Sequence, residues 1–122
     1  MKKVAVLGAS TDRGKFGNKA VRAFLNQGYR VFPVNPRGGE IEGLPVSTSI
    51  GELLEKPDIV SVYLPPHVLL GQLDAIAASD CDELWINPGA GSPEVTKRAG
   101  ALGLQVVSAC SILKIGESPS DY

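Results

Sequence analysis

The sequence predicts an α/β domain built on a five-stranded parallel sheet with helices on both faces. Two observations support this prediction. Short, valine-rich apolar runs recur along the chain, and segments of helical character alternate with them. Each run is almost continuously apolar, as expected of parallel strands covered on both faces, and the alternation implies right-handed crossovers. The runs that we interpret as strands are residues 4–7, 30–34, 59–64, 83–86 and 105–109.

Four segments have the apolar spacing or the end signals of helices. Gly28 follows the first of them and suits the left-handed conformation in which helices often end. Ser92 is a good N-cap for the last one, with Pro93 at its first helical position. The predicted helices are residues 19–27, 50–54, 68–79 and 93–102.

The chain of 122 residues fits one domain, for which we predict residues 1–115, followed by a polar tail at 116–122. A net charge of -1 provides no general attraction to nucleic acid or to an anionic membrane, and no apolar run is long enough to cross one. We therefore expect a cytoplasmic protein. Two widely spaced cysteines and one histidine match no metal motif, so no metal site is predicted.

Ligands of open parallel sheets bind beyond the carboxyl ends of the strands, so the segments that follow the strands are the candidate sites. The first such segment contains Gly8, Ala9 and Ser10 and then the cations Arg13 and Lys15. Small residues and backbone N–H groups at a helix start, together with two cations, are typical of a phosphate-binding turn. The alternative is a plain strand-to-helix turn.

Two familiar nucleotide fingerprints do not fit this turn. Ser10 stands where a G-x-G-x-x-G motif has its second glycine, and Phe16 follows Lys15 where a P-loop has its magnesium-binding Ser or Thr. ATP hydrolysis and a standard dinucleotide site are therefore not supported.

The second segment contains Asn35, Pro36 and Arg37. It lacks the acidic residue that would bind the ribose of NAD, whereas Arg37 leaves NADP open. Beside Arg13 and Lys15, Arg37 suits a ligand that carries several phosphates. The alternative for Arg37 alone is an exposed charge in a turn.

The third segment begins with Pro65 and Pro66, which end the strand and form a rigid apolar wall. They either flank a ligand or only shape the entry to the next helix. His67, the one histidine, has no evident partner for acid–base catalysis.

The fourth segment contains Asn87, Pro88, Gly89 and Ala90, small residues that leave room for a ligand or simply form a tight loop. In the fifth segment Cys110 is interpreted as an inert thiol, with a thiol that meets a ligand as the alternative. No nucleophile elbow and no second histidine occur, so no catalytic residue is predicted.

These segments together resemble the coenzyme A-binding domain family, whose small Rossmann-like members are related to the N-terminal domain of the succinyl-CoA synthetase alpha subunit. The resemblance rests on the order of "VLGAS" with Lys15 and Gly17, "GYRVFPVNP", "GLPVSTSI", "DIVSVYLPP", "WINPGA" and "GLQVVSAC". It covers nearly the whole chain.

The resemblance implies that CoA lies across the strand ends. Its phosphates would lie near the first turn and its nucleotide near the second loop, with the third segment beside it and the fourth guiding the pantetheine arm. The implied cofactor-binding residues are Gly8, Ala9, Ser10, Lys15, Asn35, Pro36, Arg37, Leu64, Pro65, Val68, Asn87, Gly89 and Ala90.

The sequence thus predicts a protein that binds CoA or an acyl-CoA without catalysis of its own. Two alternatives stay open: an NADP-binding redox protein that uses Arg37, and a subunit that completes an acyl-CoA ligase in trans. The partners compatible with these predictions are CoA or acyl-CoA, a second copy of the chain, or a ligase chain. A mixed disulfide between Cys110 and CoA is a further hypothesis.

Overall fold

The computed structural model describes residues 2–122 and confirms the predicted α/β fold. Five parallel strands form one sheet: β1 (Lys3–Leu7), β2 (Arg30–Val34), β5 (Ile59–Val62), β6 (Glu83–Ile86) and β7 (Val106–Ser108). Their order in space is β2-β1-β5-β6-β7. Two short strands, β3 (Glu40–Ile41) and β4 (Leu44–Pro45), form a separate antiparallel hairpin.

Helices cover both faces of the sheet, as predicted. They are α1 (Phe16–Asn26), α2 (Pro66–Ala78), α3 (Pro93–Ala101) and the short α4 (Ser111–Lys114), with 3-10 turns at Ile50–Glu52 and Pro119–Asp121. Side chains along β1 alternate between two buried clusters: Val4 and Val6 pack with α1 and α4, whereas Ala5 and Leu7 pack with α2 and α3. The alternation of side chains along a strand therefore divides the core into two layers.

Helices α1 and α2 begin earlier than predicted. Helix α1 starts at Phe16 instead of residue 19. Glycine is a poor helix former, but Gly17 lies within the first turn because that turn packs closely against the backbone of Gly8. Helix α2 starts at Pro66, a residue type that suits the first helical turn. The third strand of the sheet correspondingly ends at Val62, two residues before the predicted limit at 64.

The β3–β4 hairpin and α4 were not predicted, because two-residue strands and a four-residue helix are too short to show a period. The hairpin turn holds Glu42 at φ 49° and Gly43 at φ 79°. Beyond it, the Ser47 N–H donates to the Pro33 carbonyl at 3.1 Å, so the chain here lies along the outer edge of β2.

The C-terminal residues 116–122 lie against α1. The Lys19 Nζ donates to the Pro119 carbonyl at 3.3 Å, and the Arg22 guanidinium lies 5.4 Å from the centre of the Tyr122 ring. Across residues 2–122, no helix combines the length and the apolar character needed to cross a membrane.

Candidate functional site

The candidate site is a groove along the carboxyl ends of the strands. Strands β2 and β5 flank β1 on opposite sides, so the strand order reverses at β1 and β5, which is where open parallel sheets bind ligands. Three adjoining compartments make up this strand-end groove. We call them the cationic, central and outer compartments. The cationic and central compartments share Lys15 in their linings, and the central and outer compartments share Pro88 and Gly89.

Each compartment has its own chemical character. The cationic compartment, about 280 Å³, is lined by Ser10, Thr11, Lys15, Asn35, Arg37, Gly38 and Ile41. The central compartment, about 370 Å³, is lined mostly by apolar groups, from Gly8, Lys15, Phe16, Gly17, Tyr63, Leu64, Pro65, Pro66, Pro88, Gly89 and Ala90. The outer compartment, about 270 Å³, is lined by Ile86, Asn87, Pro88, Gly89, Gly91, Ser108 and Ala109.

Two glycines let α1 begin directly beside the end of β1. Gly8 has φ 83°, and a Cβ there would lie 2.3 Å from the Tyr63 carbonyl oxygen. A Cβ on Gly17 would lie 2.1 Å from the Gly8 carbonyl oxygen. Since real Cβ atoms do not approach so closely, both positions need glycine, and the first turn of α1 is held at the floor of the groove.

The start of α1 is electrostatically prepared for an anion. Lys15 occupies its N-cap position, no side chain caps the helix, and its first turn contains no acidic residue. The start of α3 differs, because the Ser92 hydroxyl accepts from the Val95 N–H at 3.1 Å and Glu94 lies in the first turn. The positive end of the α1 dipole therefore lies at the groove without a side-chain cap, although the Glu42 carboxylate accepts from Asn18 in the first turn at 3.1 Å.

Two of the three cations predicted to act together are available to a ligand. The Arg13 guanidinium forms an ion pair with Glu42 at 3.3 Å, so its charge is already compensated. Within residues 2–122, Lys15 and Arg37 form no ion pair, and both are exposed. The positive charge of the groove that has no partner within the described residues thus comes from Lys15 and Arg37, whereas Arg13 is paired with Glu42.

Asn35 joins the first two loops of the site. Its Nδ2 donates to the Ala9 carbonyl at 2.7 Å, and its Oδ1 accepts from the Arg37 N–H at 2.9 Å. Its side chain is therefore used to hold the loop that carries Arg37. The Ala9 side chain is fully buried in the core, and Ala9 lies outside the lining of the groove.

The remaining residues of these loops differ in position. Ser10 lines the cationic compartment, and its Oγ accepts from the Asp12 N–H at 3.0 Å. Pro36 is exposed and lies outside the lining of the groove.

The third segment contributes Leu64 and Pro65 to the central compartment, as the resemblance implies. Val68 lies further along α2, is 37% exposed and does not line the groove. His67 is likewise exposed outside the lining.

Tyr63 is a lining residue that the sequence analysis missed. Its N–H donates to the Leu7 carbonyl at 2.8 Å, which places it at the end of β5 beside β1. Its hydroxyl is buried without a hydrogen-bond partner. Burial raises the pKa of Tyr63 to about 12, while the nearby hydroxyls of Ser111 and Ser61 lower it to a smaller extent. Its position at a strand end beside β1 was the available signal.

Asn87 turns its side chain into the core instead of into the groove. Its Nδ2 donates to the Ser61 Oγ at 3.1 Å and to the Val62 carbonyl at 3.0 Å, and its Oδ1 accepts from the Ser111 N–H at 2.7 Å. The Ser61 and Ser111 hydroxyls are also bonded to each other at 2.8 Å. This buried network fixes the start of α4 and leaves only the backbone of Asn87 for a ligand.

The loop after β6 supplies the boundary between the central and outer compartments. Gly89 is exposed with φ 91°, and Pro88 is exposed beside it. The Ala90 side chain is buried, so Ala90 takes part through its backbone. The loop therefore presents little side-chain bulk, which suits the passage of a narrow ligand.

The two cysteines lie away from the lining. Cys110 is the N-cap of α4 and is half-buried. Burial raises the pKa of the Cys81 thiol, so a nucleophilic role for Cys81 is disfavoured.

Size alone does not identify the groove. Depressions of about 400 and 450 Å³ lie beside the 3-10 turn at Ile50–Glu52 and between α2 and α3. Neither combines strand ends, an uncapped helix start and unpaired cations. The strand-end groove therefore has the position and the charge expected of an anionic ligand site.

Comparison with known proteins supports the same fold and family. The sequence model of the family described as "CoA binding domain" matches residues 2–116. The acetate–CoA ligase [ADP-forming] I of Archaeoglobus fulgidus is 31% identical over 81 residues, which are 66% of this chain and 12% of the ligase. The alpha subunit of the corresponding Pyrococcus furiosus enzyme is 36% identical over 78 residues, or 56% of this chain and 17% of that subunit.

A solved structure covers almost the same length. The conserved hypothetical protein from Pyrococcus furiosus superposes with a TM-score of 0.86 at 33% identity, over 93% of this chain and 99% of that one. By contrast, the chain spans only a small part of the two ligases. On the match over residues 2–116, the chain belongs to the CoA-binding domain family.

Proposed function

We propose that the chain binds coenzyme A or an acyl-CoA along the strand-end groove and has no catalytic activity of its own. The observation that carries the proposal is the gradient of chemical character along the groove. Unpaired Lys15 and Arg37 lie at one end, apolar groups line the middle, and the other end has no charged side chain in its lining. CoA has a matching gradient, with its phosphates on the nucleotide and a long uncharged arm.

The phosphates of CoA occupy the cationic compartment in this proposal. Lys15 is next to the uncapped start of α1, so its ammonium and the helix N–H groups act on the same anion. Arg37 lies in the loop held by Asn35 and adds a second cation. A guanidinium can bind two phosphate oxygens at once, which suits a ligand with more than one phosphate.

The pantetheine arm passes through the central compartment. Leu64, Pro65 and the exposed Phe16 ring provide apolar contact along this path. The backbone groups of Gly89 and the Ala90 carbonyl lie at its far end and are suited to hydrogen bonds with the amides of the arm, whereas the Ala90 N–H already donates to the Asn87 carbonyl. Gly8 contributes by its lack of a side chain at the floor.

The non-catalytic part of the proposal rests on the side chains that line the groove. Within the described residues 2–122, the lining of the groove contains no histidine, cysteine, aspartate or glutamate. The lining therefore lacks the side chains that most often act as a general base or as a thiol nucleophile. This composition favours binding over acid–base or covalent chemistry.

The test is calorimetric titration of the purified chain with CoA, dephospho-CoA, NADP and ATP. We expect saturable binding of CoA, and weaker binding of dephospho-CoA, because it lacks the phosphate that a second cation would pair with. Absence of CoA binding together with saturable binding of NADP would replace this proposal by the NADP-binding alternative.

A second candidate function is that of a subunit completing an acyl-CoA ligase in trans. The matched regions are only 12% and 17% of the two acetate–CoA ligases, so most of each ligase lies outside the region that resembles this chain. Affinity purification of the tagged chain from its own cells, followed by mass spectrometry, tests this candidate. A stoichiometric partner with ligase domains supports it, and recovery of the chain alone contradicts it.

A further inference from the structure

The outer compartment of the groove is suited to a part of the ligand beyond the pantetheine thiol. It adjoins the central compartment at Pro88 and Gly89 and extends to the end of β7, where Ser108 and Ala109 line it. Its volume of about 270 Å³ is small for a ligand site on its own, so it is better understood as the end of a longer one.

The direction of the ligand follows from the charges in the groove. Arg37 lies in the cationic compartment and Lys15 at its junction with the central one, so a CoA with its phosphates at these cations extends its thiol end toward Gly89. A group attached to the sulfur then enters the outer compartment. This step rests on the proposed function, since it assumes that CoA binds in the groove.

The lining of the outer compartment disfavours a negative charge. It contains no lysine, arginine or histidine. Its amide side chain, that of Asn87, already donates to Ser61 and Val62 inside the core. A carboxylate placed here would lose part of its hydration and gain at most the neutral hydroxyl of Ser108, with no cation and no free amide donor, and such a loss is unfavourable.

We infer that the outer compartment binds the acyl group of an acyl-CoA and selects uncharged aliphatic acyl groups over acyl groups that end in a carboxylate. The apolar contact comes from Ile86, Pro88 and Ala109, and the selection against charge comes from the lack of a cation. The inference concerns binding alone and requires no chemical step.

The experiment compares CoA, butyryl-CoA and succinyl-CoA by calorimetry on the intact chain. The two thioesters have acyl chains of four carbons and differ in the terminal carboxylate. We expect butyryl-CoA to bind about threefold tighter than CoA and about fivefold tighter than succinyl-CoA, because burial of apolar surface favours the first and loss of hydration disfavours the second.

Two variants test whether the outer compartment is responsible. Ala109→Leu fills it and is expected to remove the advantage of butyryl-CoA over CoA. Ser108→Arg adds a cation at an exposed lining position and is expected to raise the affinity for succinyl-CoA relative to butyryl-CoA about fivefold. Thr96→Arg adds the same charge on the exposed side of α3, outside the groove, and should leave the ratio unchanged.

The outcomes separate this inference from the proposed function. Tight CoA binding with equal affinities for butyryl-CoA and succinyl-CoA overturns the inference and leaves the proposed function intact. A ratio that Thr96→Arg changes as much as Ser108→Arg also overturns it. Absence of CoA binding overturns both.

Discussion

Gly17, in the first turn of α1, lies against the backbone of Gly8 at the end of β1. A Cβ on Gly17 would be 2.1 Å from the Gly8 carbonyl oxygen. This contact sets the position of Lys15 and of the uncapped helix start at the floor of the groove. The same approach therefore serves the packing of the core and the geometry of the candidate phosphate site.

Gly17→Ala is expected to destabilise the protein by roughly 2–3 kcal/mol, since the added methyl group meets backbone atoms that cannot move independently. Thermal or urea unfolding measures the change. Gly71→Ala is the matched control: it is also in a helix, its added Cβ meets no atom within 4 Å, and the change should be neutral or stabilising by up to about 1 kcal/mol. Equal effects of the two substitutions would contradict this account.

Lys15→Ala is expected to weaken CoA binding about tenfold, which corresponds to about 1.4 kcal/mol. The loss has an electrostatic cause, so the variant should also show a shallower dependence of affinity on salt. Calorimetry at two ionic strengths measures both. Lys97→Ala, an exposed change on α3 away from the groove, is the control and should retain the parental affinity and salt dependence. A parental affinity in Lys15→Ala excludes the role proposed for this lysine.

Asn87→Ala is expected to lower the free energy of unfolding by roughly 2–4 kcal/mol. The substitution leaves the buried Ser111 N–H and the Val62 carbonyl without their partner, and unsatisfied buried groups are costly. Denaturant unfolding tests the prediction. Asn26→Ala removes an exposed amide and should change stability by less than about 0.5 kcal/mol. If Asn87→Ala instead reduced ligand affinity with unchanged stability, Asn87 would act on the ligand directly.

Tyr63→Phe is expected to raise the free energy of unfolding at neutral pH by up to about 1 kcal/mol, because it removes a buried hydroxyl that has no partner. Tyr29→Phe is the control at neutral pH. Tyr29 is half-buried, and its hydroxyl is not a buried group without a partner. A clear loss of stability in Tyr63→Phe would show that the hydroxyl has a partner in solution.

The alkaline stability of the protein should depend on the same residue. Burial raises the pKa of Tyr63 from 10.0 to about 12 on folding. The unfolded chain therefore loses this proton first, so ionisation of Tyr63 leaves the free energy of unfolding unchanged below pH 10 and lowers it as the pH rises toward about 12. The loss amounts to roughly 2–3 kcal/mol. Unfolding experiments across this range should show a smaller decline in Tyr63→Phe; identical declines would contradict the shift.

The fold was accessible from the sequence because its signals are local. Valine-rich runs identify parallel strands, and Gly28 or Ser92 with Pro93 marks helix ends through backbone conformations that nearby residues determine. The β3–β4 hairpin and α4 were missed, since elements of two to four residues show no period, and their stability comes from packing on the sheet.

The candidate site was only partly accessible in the same way. The sequence predicted that the segments lining the strand-end groove lie at one edge of the sheet, because parallel strands bring their carboxyl ends together. It could not tell that Arg13 pairs with Glu42, 29 positions away, or that the Asn87 amide forms its hydrogen bonds inside the core. Such pairings join residues that are distant in the chain.

By itself, the sequence determined the α/β class, the strand segments and the loops that form the groove. These follow from the periodicity of apolar residues, from the residues that end helices and strands, and from the right-handed crossovers between parallel strands. Only the tertiary structure decided which side chains in those loops face the groove. The side chains of Asn87 and Ala90 turn inward, the Tyr63 hydroxyl is buried although the residue borders the groove, and Lys15 and Arg37 stay unpaired. The physical reason is that hydrogen bonds and ion pairs are satisfied by whatever lies nearby in space, and that neighbourhood exists only after the chain has folded.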